Sequence, residues 1–179
     1  MPQISKAIRD AILAQLQGTP GNANGVNDRI AALTTSYGIP PYPDPLFDWG
    51  DSSVNFFFGQ IDPAALEESS PFTYPLLTID CPRSQNTNRV KFATFAGPVV
   101  AVIDVHHSWE EDSAIHDFAS FVDATEDAVI GCMNNQNVQT WPGNLLWNGQ
   151  VMASRGPIRA GGQGWLQSLR FTCNFELVV

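Results

Sequence analysis

The chain has 179 residues, of which 44% are hydrophobic and 15% are charged, and its formal net charge at pH 7 is −9. This length suits one domain with a substantial core. The acidic excess argues against tight, nonspecific binding of duplex DNA, which needs clustered Lys and Arg side chains. No run is apolar and long enough to span a membrane or to act as a signal peptide, so the sequence predicts a protein made in the cytoplasm.

The charged fraction is well below the ~25% of an average globular domain, which leaves much of the surface available for protein contacts. The three cysteines, Cys81, Cys132 and Cys173, are far apart and lie on the apolar side of their local patterns. We therefore expect buried, reduced thiols.

The first forty residues are predicted to form two helices. Ile4, Ile8 and Ile12 recur on one side of residues 3–17, as in a surface helix with one buried face. Asn27 is placed to cap a second helix, and Gly38 is placed to end it in the left-handed conformation.

Residues 39–75 are rich in proline and begin with the run Pro40-Pro-Tyr-Pro-Asp-Pro45, which predicts an extended segment. The segment contains the aromatic triplet Phe56, Phe57 and Phe58. Two interpretations stay open: a short strand laid on the core, or an arm that docks on a neighbouring subunit.

Residues 76–81, 89–95 and 99–109 have the composition of strands. In the third of these, Val99, Ile103 and His107 share one face, whereas Asp104 and His106 share the other. The polar face indicates that the far end of this strand runs out into water.

A long helix is predicted over residues 113–133, because apolar side chains recur at three- and four-residue spacing. Its opposite face carries Asp117, Asp123, Glu126 and Asp127. Such a face is most often simply solvated.

The C-terminal residues alternate in polarity over 169–179, as in a strand with one buried face, and its partner is expected to begin near Gln150. The connection, residues 155–164, contains Gly161, Gly162 and Gly164. We expect a mobile loop that carries Arg155 and Arg159.

Candidate catalytic residues are few. His106 and His107 are adjacent on a strand, so their side chains point to opposite faces and cannot bind one metal ion together. Cys81 with a histidine is a conceivable nucleophile pair, but no spacing supports it. The sequence therefore predicts no enzyme, no metal and no cofactor.

Together the elements predict an α+β fold, in which a mixed, mostly antiparallel sheet carries helices on one face and ends in a long C-terminal β-hairpin. The order of elements resembles the tail terminator family of long-tailed bacteriophages. The segments that carry the resemblance are residues 4–16, 76–81, 99–109, 113–133 and 150–179. The proline-rich segment 39–75 and the tryptophan-containing stretch 139–147 depart from the compact family pattern.

The resemblance implies a single tail-terminator-like domain over residues 1–179 that forms a homo-oligomeric ring, typically a hexamer, in the virion. Such a ring caps the tail tube, contacts the tail tube protein and joins the neck or head completion proteins, while DNA passes through its lumen without specific binding. Under this hypothesis Asp117, Asp123 and Asp127 face the lumen. Under the same hypothesis, two groups of residues contact a neighbouring subunit or partner. One group is Arg155, Arg159, Gly161, Gly162 and Gly164, and the other is Phe56, Phe57 and Phe58.

Three alternatives remain at this point. One is a neck adaptor or stopper protein of the head–tail connector. Another is a small metal- or thiol-dependent enzyme built around His106 or Cys81. The last is a monomeric binding module, which would form no ring.

Overall fold

The computed structural model describes residues 4–18, 25–39, 46–50, 54–69, 72–85, 96–109, 115–134, 141, 145–161 and 164–177. These described residues form four helices and six strands. The helices are α1 (Ile4–Gln17), α2 (Val26–Tyr37), α3 (Pro63–Ser69) and α4 (Ile115–Met133). The strands are β1 (Phe56–Phe58), β2 (Leu76–Ser84), β3 (Gly97–Trp109), β4 (Leu145–Arg155), β5 (Arg159–Gly161) and β6 (Gly164–Leu177).

The strands form one sheet in the order β1-β2-β3-β6-β4, and β5 pairs with the beginning of β6. Only the pairing of β1 with β2 is parallel among the described strands; the other pairings are antiparallel. The central ladder joins β3 to β6 without a break, from the pair Gly97–Leu177 to the pair Trp109–Trp165. The predicted α+β fold with a C-terminal hairpin is therefore confirmed.

One face of the sheet, here called the helix face, carries the core. Directly paired residues of an antiparallel sheet project to the same side, so the pairs Ile103–Phe171 and Val99–Phe175 lie together on this face. All four side chains are at most 3% exposed. The predicted alternation of β3 and β6 is confirmed.

Helices α1, α2 and α4 complete this core. The predicted apolar stripe of α4 is buried at Phe118, Phe121, Val122, Thr125, Ala128, Val129 and Cys132. Ile8, Ile12 and Leu16 of α1 are completely buried, and the Gln15 side chain donates to the Cys132 carbonyl oxygen at 2.7 Å. The amphipathic patterns thus give the correct buried faces of both helices.

The prediction for the beginning of α2 is wrong. Gly25 is the N-cap residue, and no side chain caps the helix there. The Asn27 side chain instead donates to the Phe47 carbonyl oxygen at 2.9 Å and accepts from the Phe47 N–H at 3.1 Å. The predicted C-terminus is confirmed, since Gly38 has φ = 69° and its N–H bonds to Thr34 and Thr35 carbonyl oxygens.

Leu46, Phe47, Asn55 and Phe56 are buried, as the interpretation of a short strand laid on the core expects. Phe47 is fully buried, and Phe56 is 9% exposed and contacts Trp49 with ring centroids 5.3 Å apart. Asn55 holds the turn, because its side chain donates to the Leu46 carbonyl oxygen at 2.7 Å and accepts from the Asp48 N–H at 3.0 Å. Residues 40–45, 51–53 and 70–71 lie outside the described residues.

The prediction of a mobile loop over residues 155–164 is wrong for the part that the structure describes. After β4 ends at Arg155, the Gly156 N–H donates to the Ser168 carbonyl oxygen at 2.8 Å, and β5 then resumes pairing with β6. The pair Gly161–Gly164 closes this ladder. The glycines therefore end a hairpin that is interrupted at residues 156–158, instead of spanning a long loop.

Two further boundaries differ from expectation. Strand β2 continues through Ser84, with a register shift between Asp80 and Arg83. Strand β3 begins at Gly97, two residues earlier than predicted. The predicted strand over residues 89–95 lies outside the described residues. In the part of the chain that the structure describes, no helix is long and apolar enough to cross a membrane.

Candidate functional site

The face of the sheet opposite the helix face is here called the outer face, and one of its ends is entirely polar on β3. At the polar end Asp104, His106 and Ser108 are only 6–7% exposed. The prediction that this end of β3 runs into water is therefore wrong. Asp104 and His106 are flanked by Ser168 and Arg170 of the paired strand β6, and residues 61–63 line the same end.

Asp104 and His106 line a cleft of 460 Å³, here called the arginine cleft. Three of the chain's nine basic residues meet there, although the chain is acidic overall. The cleft is lined by Ile61, Asp62, Pro63, Asp104, His106, Ser154, Arg155, Gly156, Arg159, Ser168 and Arg170.

Two of the three arginines are engaged by carboxylates of the same chain. Arg170 donates to both oxygens of Asp104, from Nε at 2.7 Å and from Nη2 at 2.8 Å. The Asp104 side chain is 8% exposed, so this bidentate pair satisfies a carboxylate that is almost withdrawn from water. Arg155 pairs on the helix side with Asp123 and Glu126, each at 2.6 Å.

The backbone of Arg159 belongs to the β5–β6 ladder, and the residue is exposed. Its guanidinium makes no ion pair with the described residues. Its neighbour in the cleft, Asp62, accepts a hydrogen bond from the Ala64 N–H at 3.1 Å at the beginning of α3. In the cleft, the guanidinium of Arg159 has no partner among the described residues. The side chain of Arg170, which lines the same cleft, is only half covered.

His106 lies at the base of this cleft. Its Nδ1 is 2.7 Å from the Ser168 hydroxyl, whereas its Nε2 is buried and has no hydrogen-bond partner among the described residues. Burial lowers the pKa of His106; Asp104 opposes this lowering, and Arg159 and Arg170 add to it. The imidazole is therefore neutral near pH 7.

The Ser168–His106 pair resembles part of a nucleophilic dyad, but the surrounding groups do not complete one. The nearby carboxylate of Asp104 is engaged by Arg170 and does not orient the imidazole. The Gly156 N–H is bonded to the Ser168 carbonyl oxygen, so it is not available to stabilise an oxyanion. A lowered pKa also makes His106 a weak base. The arrangement favours electrostatic binding over acyl transfer.

The thiols do not have the properties of nucleophiles. Burial raises the pKa of Cys81 to about 11, with Asp80 adding to the effect, and its Sγ donates to the Ser5 carbonyl oxygen at 3.7 Å. Burial likewise raises the pKa of Cys132 to about 11 and that of Cys173 to about 12. Reactive cysteines have lowered pKa values. Cys132 and Cys173 are buried as predicted, but Cys81 is only partly so.

His107 faces the opposite side of the sheet from His106, as the strand pattern predicts. Its ring packs edge-on against Phe121 and Phe118, at centroid distances of 5.3 and 6.1 Å. Within the described residues, no three His, Cys, Asp or Glu side chains converge as metal ligands. The absence of a functional metal stays a prediction.

The other end of the outer face mixes apolar and polar side chains, since β6 contributes Thr172, Asn174 and Glu176 there. Its register places Val102, Thr172 and Met152 in one row across three strands, and Pro98, Glu176 and Leu146 in another. Leu146 is 56% exposed and Met152 is 58% exposed. These residues, with Val100 between the rows on β3, are here called the hairpin surface. It includes part of β4, whose outer edge is unpaired among the described strands.

The predicted interface and lumen residues are dispersed over the molecule. Arg159 lines the arginine cleft, and Arg155 reaches both the cleft and α4. The edge strand β1 carries Phe56 in the core and Phe58 at 42% exposure, with the Arg9 guanidinium 5.3 Å from the Phe58 ring centroid. Phe56 is thus not a surface contact. Phe57 is half-buried.

The acidic face of α4 has partners within the chain. Asp123 pairs with Arg155, and Asp127 accepts a hydrogen bond from the Tyr37 hydroxyl at 2.8 Å. This hydrogen bond raises the pKa of Tyr37. The side chain of Asp117 and all of Gly162 lie outside the described residues. Asp123 and Asp127, two of the predicted lumen residues, are therefore engaged within the chain.

Sequence reasoning did not identify the arginine cleft. Asp104 and Arg170 are 66 positions apart, and only the pairing of β3 with β6 brings them together. The available signal was an Asp and a His facing outward on an otherwise apolar strand. The same applies to Ser168, since it lies 62 positions from His106.

Comparison with known proteins gives no assignment. The chain matches no protein-family model, and no curated protein is significantly similar to it.

Proposed function

We propose that this protein is a structural subunit of a bacteriophage virion: a tail terminator that forms a ring, typically of six copies, at the end of the tail tube and joins it to the neck or head. The proposal rests on the resemblance in element order. The observation that supports it best is the hairpin surface, where Leu146 and Met152 are more than half exposed on β4, whose outer edge is unpaired among the described strands.

Two large apolar side chains on one surface that are both more than half exposed suit a protein contact. An open strand edge offers main-chain donors and acceptors to another chain. We infer that the neighbour in the ring is a second copy, which covers the hairpin surface. A neck adaptor or stopper subunit would use the same surface, and the test below separates these roles by the structure that the protein joins.

The contact first expected at Arg155 is revised. Arg155 is engaged by Asp123 and Glu126 of its own chain, so a neighbour would have to displace two short ion pairs to reach it. Arg159 has no such partner among the described residues and is the better candidate for a contact outside the chain. The acidic lumen hypothesis now depends on residues that also have intramolecular partners.

The mass of the purified protein in solution, with negative-stain microscopy, tests the ring. A hexamer has six times the 19.5 kDa of one chain. The double variant Leu146→Glu/Met152→Glu should give a folded monomer that fails to join tails to heads. Val54→Glu is the control, since Val54 is 39% exposed beside β1, at the other edge of the sheet.

A wild-type protein that stays monomeric and never associates with tail tubes would refute the proposal. Normal assembly by the double variant would refute the role of the hairpin surface. A protein that joins completed heads instead of tail tubes would favour the adaptor or stopper role.

A further inference from the structure

The charged side chains that line the arginine cleft are not all engaged in ion pairs. Its lining contains three arginines and two aspartates. Arg155 is balanced by Asp123 and Glu126 outside the cleft, and Arg170 is balanced by Asp104. Asp62 is bonded to the backbone of α3 and forms no ion pair with Arg159. Arg159 thus makes no ion pair with the described residues, although the carboxylate of Asp62 lines the same cleft.

Arg170, although it is paired with Asp104, also retains free N–H donors. Arg170 uses one hydrogen on Nε and one on Nη2 for Asp104, and a guanidinium carries five N–H donors. The donors on Nη1 and the second hydrogen on Nη2 are therefore not needed by Asp104. Because Asp104 holds Arg170 at two points, the group is fixed in position before any ligand arrives, which lowers the entropy lost on binding.

The burial of His106 is a second, independent observation. His106 is 93% buried, since its exposed fraction is 7%, and its Nε2 has no hydrogen-bond partner among the described residues. A buried polar atom without a partner is uncommon and asks for a reason. An anionic oxygen could accept a hydrogen bond from Nε2 when this atom carries the ring hydrogen, whereas the arginines, which are donors only, could not.

We propose that the arginine cleft binds an oxyanion, a carboxylate or a phosphate group, held between the guanidinium groups of Arg159 and Arg170 above the His106 ring. Arginine suits this ligand because its planar N–H groups match the spacing of two anionic oxygens. The apolar side chains of Ile61 and Pro63 line the same cleft and leave room for a short organic part. The site does not depend on the ring proposal.

Calorimetric titration with inorganic phosphate and, separately, with malonate tests the site at constant ionic strength. The wild type should bind at least one probe saturably. Arg159→Gln should weaken that binding about tenfold or more, the usual size of a lost charged hydrogen bond. Arg83→Gln is the matched control, because Arg83 is an exposed arginine on β2 outside the cleft. The affinity of this variant for the probe should stay within about twofold of that of the wild type.

Nuclear magnetic resonance gives a readout that needs no variant, because the chain has only three histidines. A bound anion favours the imidazolium form, so saturation with the probe should raise the pKa of His106, against the effects of Arg159 and Arg170, and leave the buried His107 unchanged. Asp104 and Asp62, which also act on His106, are present in both states.

No saturable binding of either probe at ~10 mM, which corresponds to only about 3 kcal/mol, would overturn the proposal. So would an equal loss of affinity in Arg83→Gln and Arg159→Gln, or an unchanged His106 resonance at saturation. The source of the anion is read from the mass of Arg159→Gln in solution. Loss of self-association identifies a carboxylate of a second copy, and unchanged association identifies a small free anion.

Discussion

His107 should make the protein less stable in mild acid, and its replacement should remove that sensitivity. The side chain is 1% exposed and is enclosed by Phe118 and Phe121. Neither ring nitrogen has a hydrogen-bond partner among the described residues. Burial lowers the pKa of His107 to about 3, and the neighbouring His106 adds to this lowering.

The direction of the effect follows from which state binds the proton. In the unfolded chain a histidine has a pKa of about 6.5. Between that pH and about 3 the unfolded chain binds a proton that the native protein does not, so the free energy of unfolding falls as the pH falls. Each pH unit contributes about 1.4 kcal/mol, which gives about 2 kcal/mol of lost stability at pH ~5.

His107→Leu isolates this effect, because leucine has a similar volume and does not titrate. Urea unfolding of both proteins at pH ~7.5 and ~5 gives two differences in the free energy of unfolding. The difference should grow in favour of the variant by about 2 kcal/mol at the lower pH, while contributions from the carboxylates cancel. At neutral pH, loss of a buried polar group without a partner should leave the variant at least as stable as the wild type.

Ile103→Val is the control, because Ile103 is fully buried on the same face of β3 and has no titratable group. It should cost about 0.5–1.5 kcal/mol at both pH values. If the difference between the wild type and His107→Leu is the same at both pH values, the native protein protonates His107, and the reasoning from its burial is wrong.

Three further predictions concern stability, each measured by denaturant unfolding at neutral pH. Phe175→Ala should cost about 3–5 kcal/mol, because the ring is 3% exposed and contacts Trp147 and Trp141 at 4.9 and 5.0 Å; a loss below about 1 kcal/mol would reject the packing. Asn27→Ala should cost about 1–3 kcal/mol, since it leaves both backbone groups of Phe47 without their partner, and a neutral result would mean that water replaces the amide. Gly25→Ala should cost about 1–3 kcal/mol, because the new methyl group would lie 2.3 Å from the Gln17 carbonyl oxygen. The comparison variant Ala31→Gly, at an exposed position of α2, should cost about 1 kcal/mol by helix propensity alone.

The sequence was sufficient for the elements whose buried faces repeat regularly. The two periodicities place Ile103 and Phe171 on one sheet face, and Phe118 and Val122 on the helix that covers it. Apolar burial is the largest favourable contribution to folding and has a fixed period in each element. For this reason the core could be identified without knowing which strands pair.

The sequence was insufficient where a side chain has more than one possible partner. Asn27 has the composition of a helix cap, but its amide meets both backbone groups of Phe47, twenty positions away, and this tertiary contact outweighs the local one. The glycines at 161 and 164 indicate flexibility by composition, yet β6 supplies main-chain partners that order the hairpin. The arginine cleft depends throughout on such long-range pairing, so no local sequence pattern predicts it.

Arg155 shows how register decides between contacts within and between chains. Its pairing with Leu169 places it on the helix face, where its guanidinium meets Asp123 and Glu126. Because the three side chains belong to one folded chain, they lose less freedom on pairing than groups on separate subunits do. Arg155→Ala should lower the free energy of unfolding by only about 1 kcal/mol or less, since the pairs are partly exposed, and the loss should shrink in ~1 M salt. Asp127→Ala, which removes the exposed hydrogen bond to Tyr37 on the same helix face, serves as the control and should respond weakly to salt. A loss above about 2 kcal/mol that persists in salt would mean that Arg155 is held by packing of its stem instead of by charge.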